Sequence, residues 1–400
     1  MDYQDVAALV EKHDAVFAAR MDMWKAMIDA ARGKGAFAAQ DLKDHSAAID
    51  TAVRELDAAV AAADPEQALY AQALHDKRLM DEHGLLFDAE MVADIDMLVG
   101  NVMLARPTLI VGDKGIAKTQ LAKFVMSLYG TEPVVVSVKG DLMSDELIGQ
   151  IKHDKENETF RFYEGAVPLA MRAGVPVLLD EINFGDQAVV ARLQDILLKR
   201  PGQTAFIQEE NADIVVQPGF TVIATANEAS ERYRHREILD PAIRDRFEII
   251  ARTYPDLELN PLFDDAPSVR RLAMASMVDA DGQLSPYVDR DMLSALVRIT
   301  AVSEHLYAVP AKEAVIQFDD NSVSSLVRES SEPILTDCIT PRALCRAVED
   351  SAGGNLPGRV LDMKLIAKLV RSLDQAGSHR NFVLVRQAAL LVGIDIPEGN

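Results

Sequence analysis

Four hundred residues with 49% hydrophobic content are enough for two or three domains with sizeable cores. A mean hydropathy of +0.01 without a long uncharged apolar run argues against a membrane span, and the acidic start Met1-Asp2-Tyr3-Gln4-Asp5 lacks the basic stretch of a signal peptide. The formal charge of −22 sets the surface against nucleic acid and anionic membranes, so the expected partner is a protein with a basic face.

In chain order, residues 1–87 are Ala-rich, charged and helical in period, and form a first, N-terminal helical domain. Val6, Leu9, Val10, Val16, Phe17, Trp24, Met27 and Ile28 recur at three- and four-residue steps. Ile49, Val53, Leu56 and Val60 repeat the pattern beyond a turn at Gly33-Lys34-Gly35. Asp64-Pro65-Glu66-Gln67 has the cap chemistry of a third helix, which His83-Gly84 ends. Three antiparallel helices of this kind make either a docking module or a brace on the rest of the chain.

Asp88 is placed to cap a helix leading into the apolar strand 108–111. Then comes Gly112-Asp113-Lys114-Gly115-Ile116-Ala117-Lys118-Thr119, a glycine-bearing turn with Lys-Thr opening a helix. That is the form of a phosphate-binding P-loop: Gly112 and Gly115 let the backbone bend so that its N–H groups face an anion. The helix adds its positive end. Lys118 has the reach for β- and γ-phosphates, and Thr119 has the hydroxyl for Mg²⁺. Ala117 departs from the pattern, which calls for a second glycine there.

Further strands are expected near 133–138, 176–180, 220–225 and 248–251, alternating with helices as a parallel α/β sheet requires. Val177-Leu178-Leu179 ends in Asp180-Glu181, two acids at the carboxyl end of a buried strand, where ligands of such sheets bind. Asp180 suits the Mg²⁺ shell, and Glu181 suits a water aimed at the γ-phosphate. The strand near 220–225 ends in Asn227, whose amide can bond both that water and the phosphate. Residues 253–286 read as a linker with a short helix. Helices follow at 289–307, 322–329, 341–352, 360–373 and 380–392. Thr340-Pro341 starts the third of these, with Arg342 at its mouth.

This order of motifs resembles the AAA+ ATPases, in particular the MoxR-type branch related to the chelatase motor subunits and to dynein-related AAA proteins, over roughly residues 90–355. The fold class it implies is α/β: a P-loop core with a five-stranded parallel sheet at 88–255, after the helical domain and before a helical lid with extra C-terminal helices at 256–400. The resemblance implies ATP and Mg²⁺ as ligands. Gly112 through Lys118, with Thr119, Gln120 and Arg342, would hold the nucleotide, and Thr119 and Asp180 the metal. Glu181 and Asn227 would be catalytic, as would an arginine finger acting on a neighbouring subunit. Asp245-Arg246-Phe247 matches the family triplet, which makes Arg246 the finger and Arg244 the runner-up. The resemblance also implies a homo-hexameric ring. Asp141-Leu142-Met143-Ser144-Asp145-Glu146-Leu147-Ile148-Gly149, with Phe160–Gly165, matches an insert that faces the pore in relatives. Thr204–Gln208 and Asp213–Val216, about the polar turn 209–212, match a second hairpin.

The implied activity is ATP-driven remodelling of a protein client, with a separate partner bearing a von Willebrand A domain. A magnesium- or cobalt-chelatase motor and a nucleotide-gated scaffold are the alternatives. Asp320-Asn321-Ser322-Val323-Ser324 fits the metal motif of von Willebrand A domains, but its helical surroundings make it a helix cap. Cys338 and Cys345 read as buried or free thiols in a reducing cytoplasm. No pair of histidines has metal-ligand spacing on a helix.

Overall fold

The computed structural model describes residues 3–138, 144–154, 158–185, 190–207, 211–227, 239–259, 265–279, 281–285, 288–310, 313, 333–352, 361–374 and 379–397. Three helices come first: α1 (Tyr3–Ala31), α2 (Ala39–Ala62) and α3 (Pro65–His83). Asp64 caps α3 by accepting the Glu66 and Gln67 amides, and Gly84 ends it in the left-handed region at φ 70°. α4 (Ala89–Met103) starts where the Asp88 carboxylate accepts the Met91 amide at 2.8 Å.

The α/β layer then runs β1 (Thr108–Val111), α5 (Lys118–Ser127), β2 (Val134–Ser137), α6 (Ser144–Leu147), β3 (Gly149–Asp154), β4 (Thr159–Glu164), α7 (Ala166–Ala173) and β5 (Val177–Asp180). After α8 (Gln194–Leu197) it continues β6 (Thr204–Ile207), β7 (Ala212–Val215), β8 (Val222–Ala226), α9 (Pro241–Arg244) and β9 (Glu248–Ala251). Five strands form one parallel sheet in the order β2-β5-β8-β1-β9. Its middle strands are buried on both faces, which explains their unbroken apolar runs. β3–β4 and β6–β7 are separate antiparallel hairpins at the positions the sequence pattern marks. They leave Ile151, Tyr163, Phe206 and Val215 exposed. Residues 141–143 of the expected insert, Gln208 with turn residues 209–210, helix 322–329 and Asp320–Ser324 lie outside the described residues.

The C-terminal helices are α10 (Pro267–Ser276), α11 (Arg290–Ala308), α12 (Pro341–Ala352), α13 (Met363–Arg371) and α14 (Arg380–Leu391). They gather a second hydrophobic core that also takes in Tyr254 and one residue of the 112–117 turn, Ile116. The N-terminal helices pack against both cores. Trp24, Met27 and Ile28 of α1 join the sheet's own cluster, and the Trp24 indole N–H donates to Asp96 at 2.6 Å. On the lid side, Arg271 of α10 donates twice to Asp76 of α3, at 2.7 and 2.9 Å, with Asp76 only 1% exposed. α1 and α3 thus bridge the sheet's core and the C-terminal helices.

Inside the lid, Glu304 of α11 is fully buried, and among the described residues neither carboxylate oxygen finds a hydrogen-bond partner. Burial, then the nearby Asp256 carboxylate, push its pKa well above the ordinary 4.5. The folded state thus keeps a proton that the unfolded chain gives up above that value, and stability falls as pH rises. Glu304→Gln removes this penalty. Its melting temperature should match wild type near pH 4.5 and exceed it by a margin that widens to pH 8; a flat difference across that range would refute the assignment.

Candidate functional site

The site is built where three parallel strands end. Val111 of β1 lies beside Ala226 of β8, and Leu179 of β5 beside Ala224, so residues 112–118, Asp180-Glu181 and Asn227 share one rim of the sheet. The turn after β1 needs its glycines. Gly112 has φ 153°, and a Cβ there would meet the Arg252 carbonyl oxygen at 2.3 Å. Gly115 has φ 81° and is packed against Thr340. Ala117, the departure from the pattern, takes the left-handed conformation itself, at φ 62°, as the residue before α5. A side chain there costs about 1–2 kcal/mol, so the surrounding contacts hold the loop shape and not the residue type.

Lys118 is buried and reaches back across the turn. Its ammonium donates to the carbonyls of Gly112 at 2.8 Å and Asp113 at 2.5 Å, and to the Asn227 side-chain oxygen at 2.7 Å. The Asn227 amide donates to Glu181 at 3.3 Å. The Thr119 hydroxyl donates to Asp180 Oδ1 at 2.7 Å. The structure thus brings Lys118, Thr119, Asp180, Glu181 and Asn227 into one network.

Two members of this network were not singled out in the sequence. Thr225 donates to Asp180 Oδ1 at 2.6 Å and accepts the Glu181 amide at 2.9 Å, pinning both acids. Period-two alternation puts Thr225 on the same face of the strand as Asn227, which is the signal that marks it. Asn183 donates to the Asn227 backbone carbonyl at 2.8 Å. Glu181 itself has φ 60°, an uncommon conformation for a glutamate and one that clusters at functional sites.

Beside the turn opens a cavity of about 230 Å³, lined among others by Leu86, Ile116, Ala117, Gln120, Pro255 and Arg342. Thr340 caps α12, accepting the Ala343 amide at 3.3 Å, and so places Arg342 at this cavity. Arg244 and Arg246 lie elsewhere. Glu248 pairs with Thr108, the first residue of β1, so both arginines sit at the entering ends of the strands, opposite the turn. Three strand steps alone separate the two ends by roughly 10 Å. Arg244 is exposed, and Arg246 donates to the Ala242 carbonyl.

Residues 107–247 match the sequence profile described as AAA domain (dynein-related subfamily). The uncharacterized protein YojN of Bacillus subtilis is 30% identical over 181 residues, 45% of this chain and 55% of YojN. Midasin of Giardia intestinalis is 27% identical over 169 residues, 41% of this chain and 3% of midasin. The chain therefore spans about half the length of the first relative and a small part of the second. A crystal structure of NtrX from Brucella abortus in complex with ADP aligns with a TM-score of 0.45 at 14% identity, over 85% of this chain and 70% of that one.

Thr225→Val keeps the shape of the side chain and deletes the hydroxyl. It leaves the Glu181 amide without its acceptor and Asp180 with one donor fewer, a loss of about 1–3 kcal/mol in denaturant unfolding. Thr225→Ser should restore most of it; equal stability of the Val and wild-type proteins would show that the bridge contributes nothing.

Proposed function

We propose that the chain uses residues 107–247, which match the AAA domain (dynein-related subfamily), to hydrolyse ATP in a homo-hexameric ring that remodels a protein client, in the manner of MoxR-type ATPases. The observation that carries this reading is the single network joining Lys118, Asn227, Glu181, Asp180 and Thr119 at the mouth of the P-loop. Such a network has one ammonium for a phosphate, two acids with separate tasks, and an amide between them.

In this reading the Lys118 ammonium, at the mouth of the turn, bonds the β- and γ-phosphates of ATP, which the loop amides and the start of α5 also hold. Thr119 and Asp180 offer hard oxygen donors 2.7 Å apart, and these fit Mg²⁺, which takes few protein ligands and completes its shell with phosphate oxygens and water. When bound, the cation offsets phosphate charge. Glu181 accepts the proton of the attacking water, and Asn227 fixes both by its bond to Glu181. The nucleoside lies in the cavity between Leu86, Ile116 and Pro255, with Arg342 at its edge.

Arg246, with Arg244 as the alternative, is at the wrong end of the strands to serve its own site, which supports a finger acting on the next subunit. Active sites would then be completed only at subunit contacts. The exposed Ile151, Tyr163, Phe206 and Val215 of the two hairpins are the surface for a client. A von Willebrand A protein is the expected adaptor. With the charge of −22, nucleic acid is a poor client. No described helix is long and apolar enough to cross a membrane, and the reading places the ring in the cytoplasm.

Lys118→Ala should weaken ATP binding about 10- to 100-fold by equilibrium titration, the value of one or two charge-assisted hydrogen bonds. Glu181→Gln should still bind ATP and turn it over about 10²–10⁴-fold more slowly; full turnover would remove Glu181 from the role of base. Arg246→Ala should lose about 10³–10⁵ in kcat and regain part of it when mixed with Lys118→Ala subunits, since each supplies what the other lacks. An absence of rescue at every ratio would move the role to Arg244 or end the proposal of a finger in trans. Affinity capture with ATP-locked Glu181→Gln then separates the functions. A von Willebrand A protein supports the remodelling reading, a tetrapyrrole-binding subunit supports a chelatase motor, and retention of its own subunits alone supports a scaffold.

A further inference from the structure

Two histidines are buried where the N-terminal helices meet the C-terminal ones. His13 of α1 and His75 of α3 are 7% and 6% exposed, and their rings stack with centroids 5.3 Å apart and planes 29° apart. Phe17, one turn along α1, meets His75 edge to face at 6.4 Å. The seam they sit in is thinly packed. Val6 and Leu9 of α1 join Tyr70 and Ala71 of α3 in a small apolar cluster of their own, apart from the two larger cores. Seams with few buried apolar contacts open locally at the lowest cost.

The charged groups around the rings are already matched. His75 Nδ1 donates to Asp14 Oδ1 at 2.8 Å, and Arg78 of α3 donates to Asp14 Oδ2 at 2.7 Å. Beside His75, Asp76 accepts both bonds from Arg271 of α10. On the α2 side, Glu55 pairs with Lys12. His13 differs: among the described residues its buried Nε2 has no hydrogen-bond partner. Two carboxylates thus face two guanidinium groups, and a proton added to His13 would meet no unmatched acid. It would make both ring nitrogens donors and leave a buried Nε2–H without an acceptor. Burial, then the charge of a protonated His75, lowers the His13 pKa from 6.5 to about 4, and burial lowers that of His75.

We propose that the His13–His75 stack is a proton-sensitive joint, which holds α1 and α3 together against α10 at neutral pH and releases them on mild acidification. No bound nucleotide enters this equilibrium. Above pH 6.5 neither the closed nor the open joint binds protons at these rings. Below it the open joint, with its rings in water, takes protons that the closed joint refuses. The closed joint therefore weakens as pH falls from 6.5 towards 4, and the trend flattens below that. His13 alone moves the opening equilibrium about 30-fold between pH 7.5 and pH 5.

Amide hydrogen exchange of the full chain at pH 7.5 and pH 5, corrected for the intrinsic rate at each pH, tests the joint. The first half of α1, α3 and α10 should lose about 30-fold in protection at pH 5, while β1, β5 and β8 keep theirs. His13→Leu combined with His75→Gln removes both titrating rings and still offers Asp14 an amide donor. This variant should hold its protection at both pH values. Unchanged wild-type protection at pH 5 overturns the joint, as does an equal loss in the variant or a loss shared by the sheet strands. Where the double variant fails to fold, deuterium exchange at the imidazole Cε1, resolved by peptide mass, reads each ring's titration in wild type. Protonation of His13 near pH 6.5 with α10 still protected would show that the ring titrates without moving the helices, and the proposal would fail.

Discussion

The register of the parallel sheet is the constraint on which everything else depends. β1, β5 and β8 are aligned so that Val111, Asp180 and Ala226 finish on one rim. A one-residue slip of β8 would turn Asn227 and Thr225 to the opposite face and strand Lys118 without its side-chain acceptor. The register is enforced by burial: Leu109, Ile110, Leu178, Leu179, Ile223 and Ala224 are all essentially inaccessible. The hydrophobic core thus fixes the polar site, and the polar site adds its own closure through Thr225, which ties β5 to β8 at their ends.

The second layer of dependence is the brace. α1 joins the sheet's core through Trp24 and Ile28, and α3 holds α10 through the buried pair of Asp76 and Arg271. A buried pair of this kind is weak evidence of net stability, because desolvation offsets much of the attraction, but removing one partner is costly. The pair joins an N-terminal helix to a C-terminal one. The cavity at the P-loop sits under this brace, with Met80, Gly84 and Leu86 forming part of its wall. The end of α3 and the segment that follows it are therefore part of the site's architecture.

Much of this was legible in the sequence, and the residues say why. Cap chemistry is local, so Asp64, Asp88 and Thr340 announced their helices with short-range signals that the folded chain keeps. The P-loop and the Asp180-Glu181 pair are strand-end motifs whose position follows from the apolar run before them. Thr225 was hidden because a β-branched residue in a buried strand reads as filler. Tyr254 and Tyr307 were hidden for a different reason: their bonds to residues 114 and 113 span 140 and 194 positions, and no periodicity carries such a pairing. Ala117 looked like a defect by pattern, yet the backbone adopts φ 62° with it in place.

The placement of the arginines gives the last step. In a chain of charge −22 a guanidinium has many acidic surfaces to choose from, yet Arg246 is half-buried and bonded to the Ala242 carbonyl of α9, next to Phe247, which is buried in the sheet's core. Asp240 caps that short helix by accepting the Ala242 amide at 2.7 Å, and Pro241 sets its first turn. The structure thus holds the Arg246 cation at the end of the strands opposite its own P-loop, with Arg244 exposed nearby. A preorganised charge is useful where charge must be met without reorganisation, as at a transferring phosphoryl group. In the proposed ring, the rigidity of this segment would matter more than the affinity of any one subunit contact, because the same geometry must be met at each interface in turn.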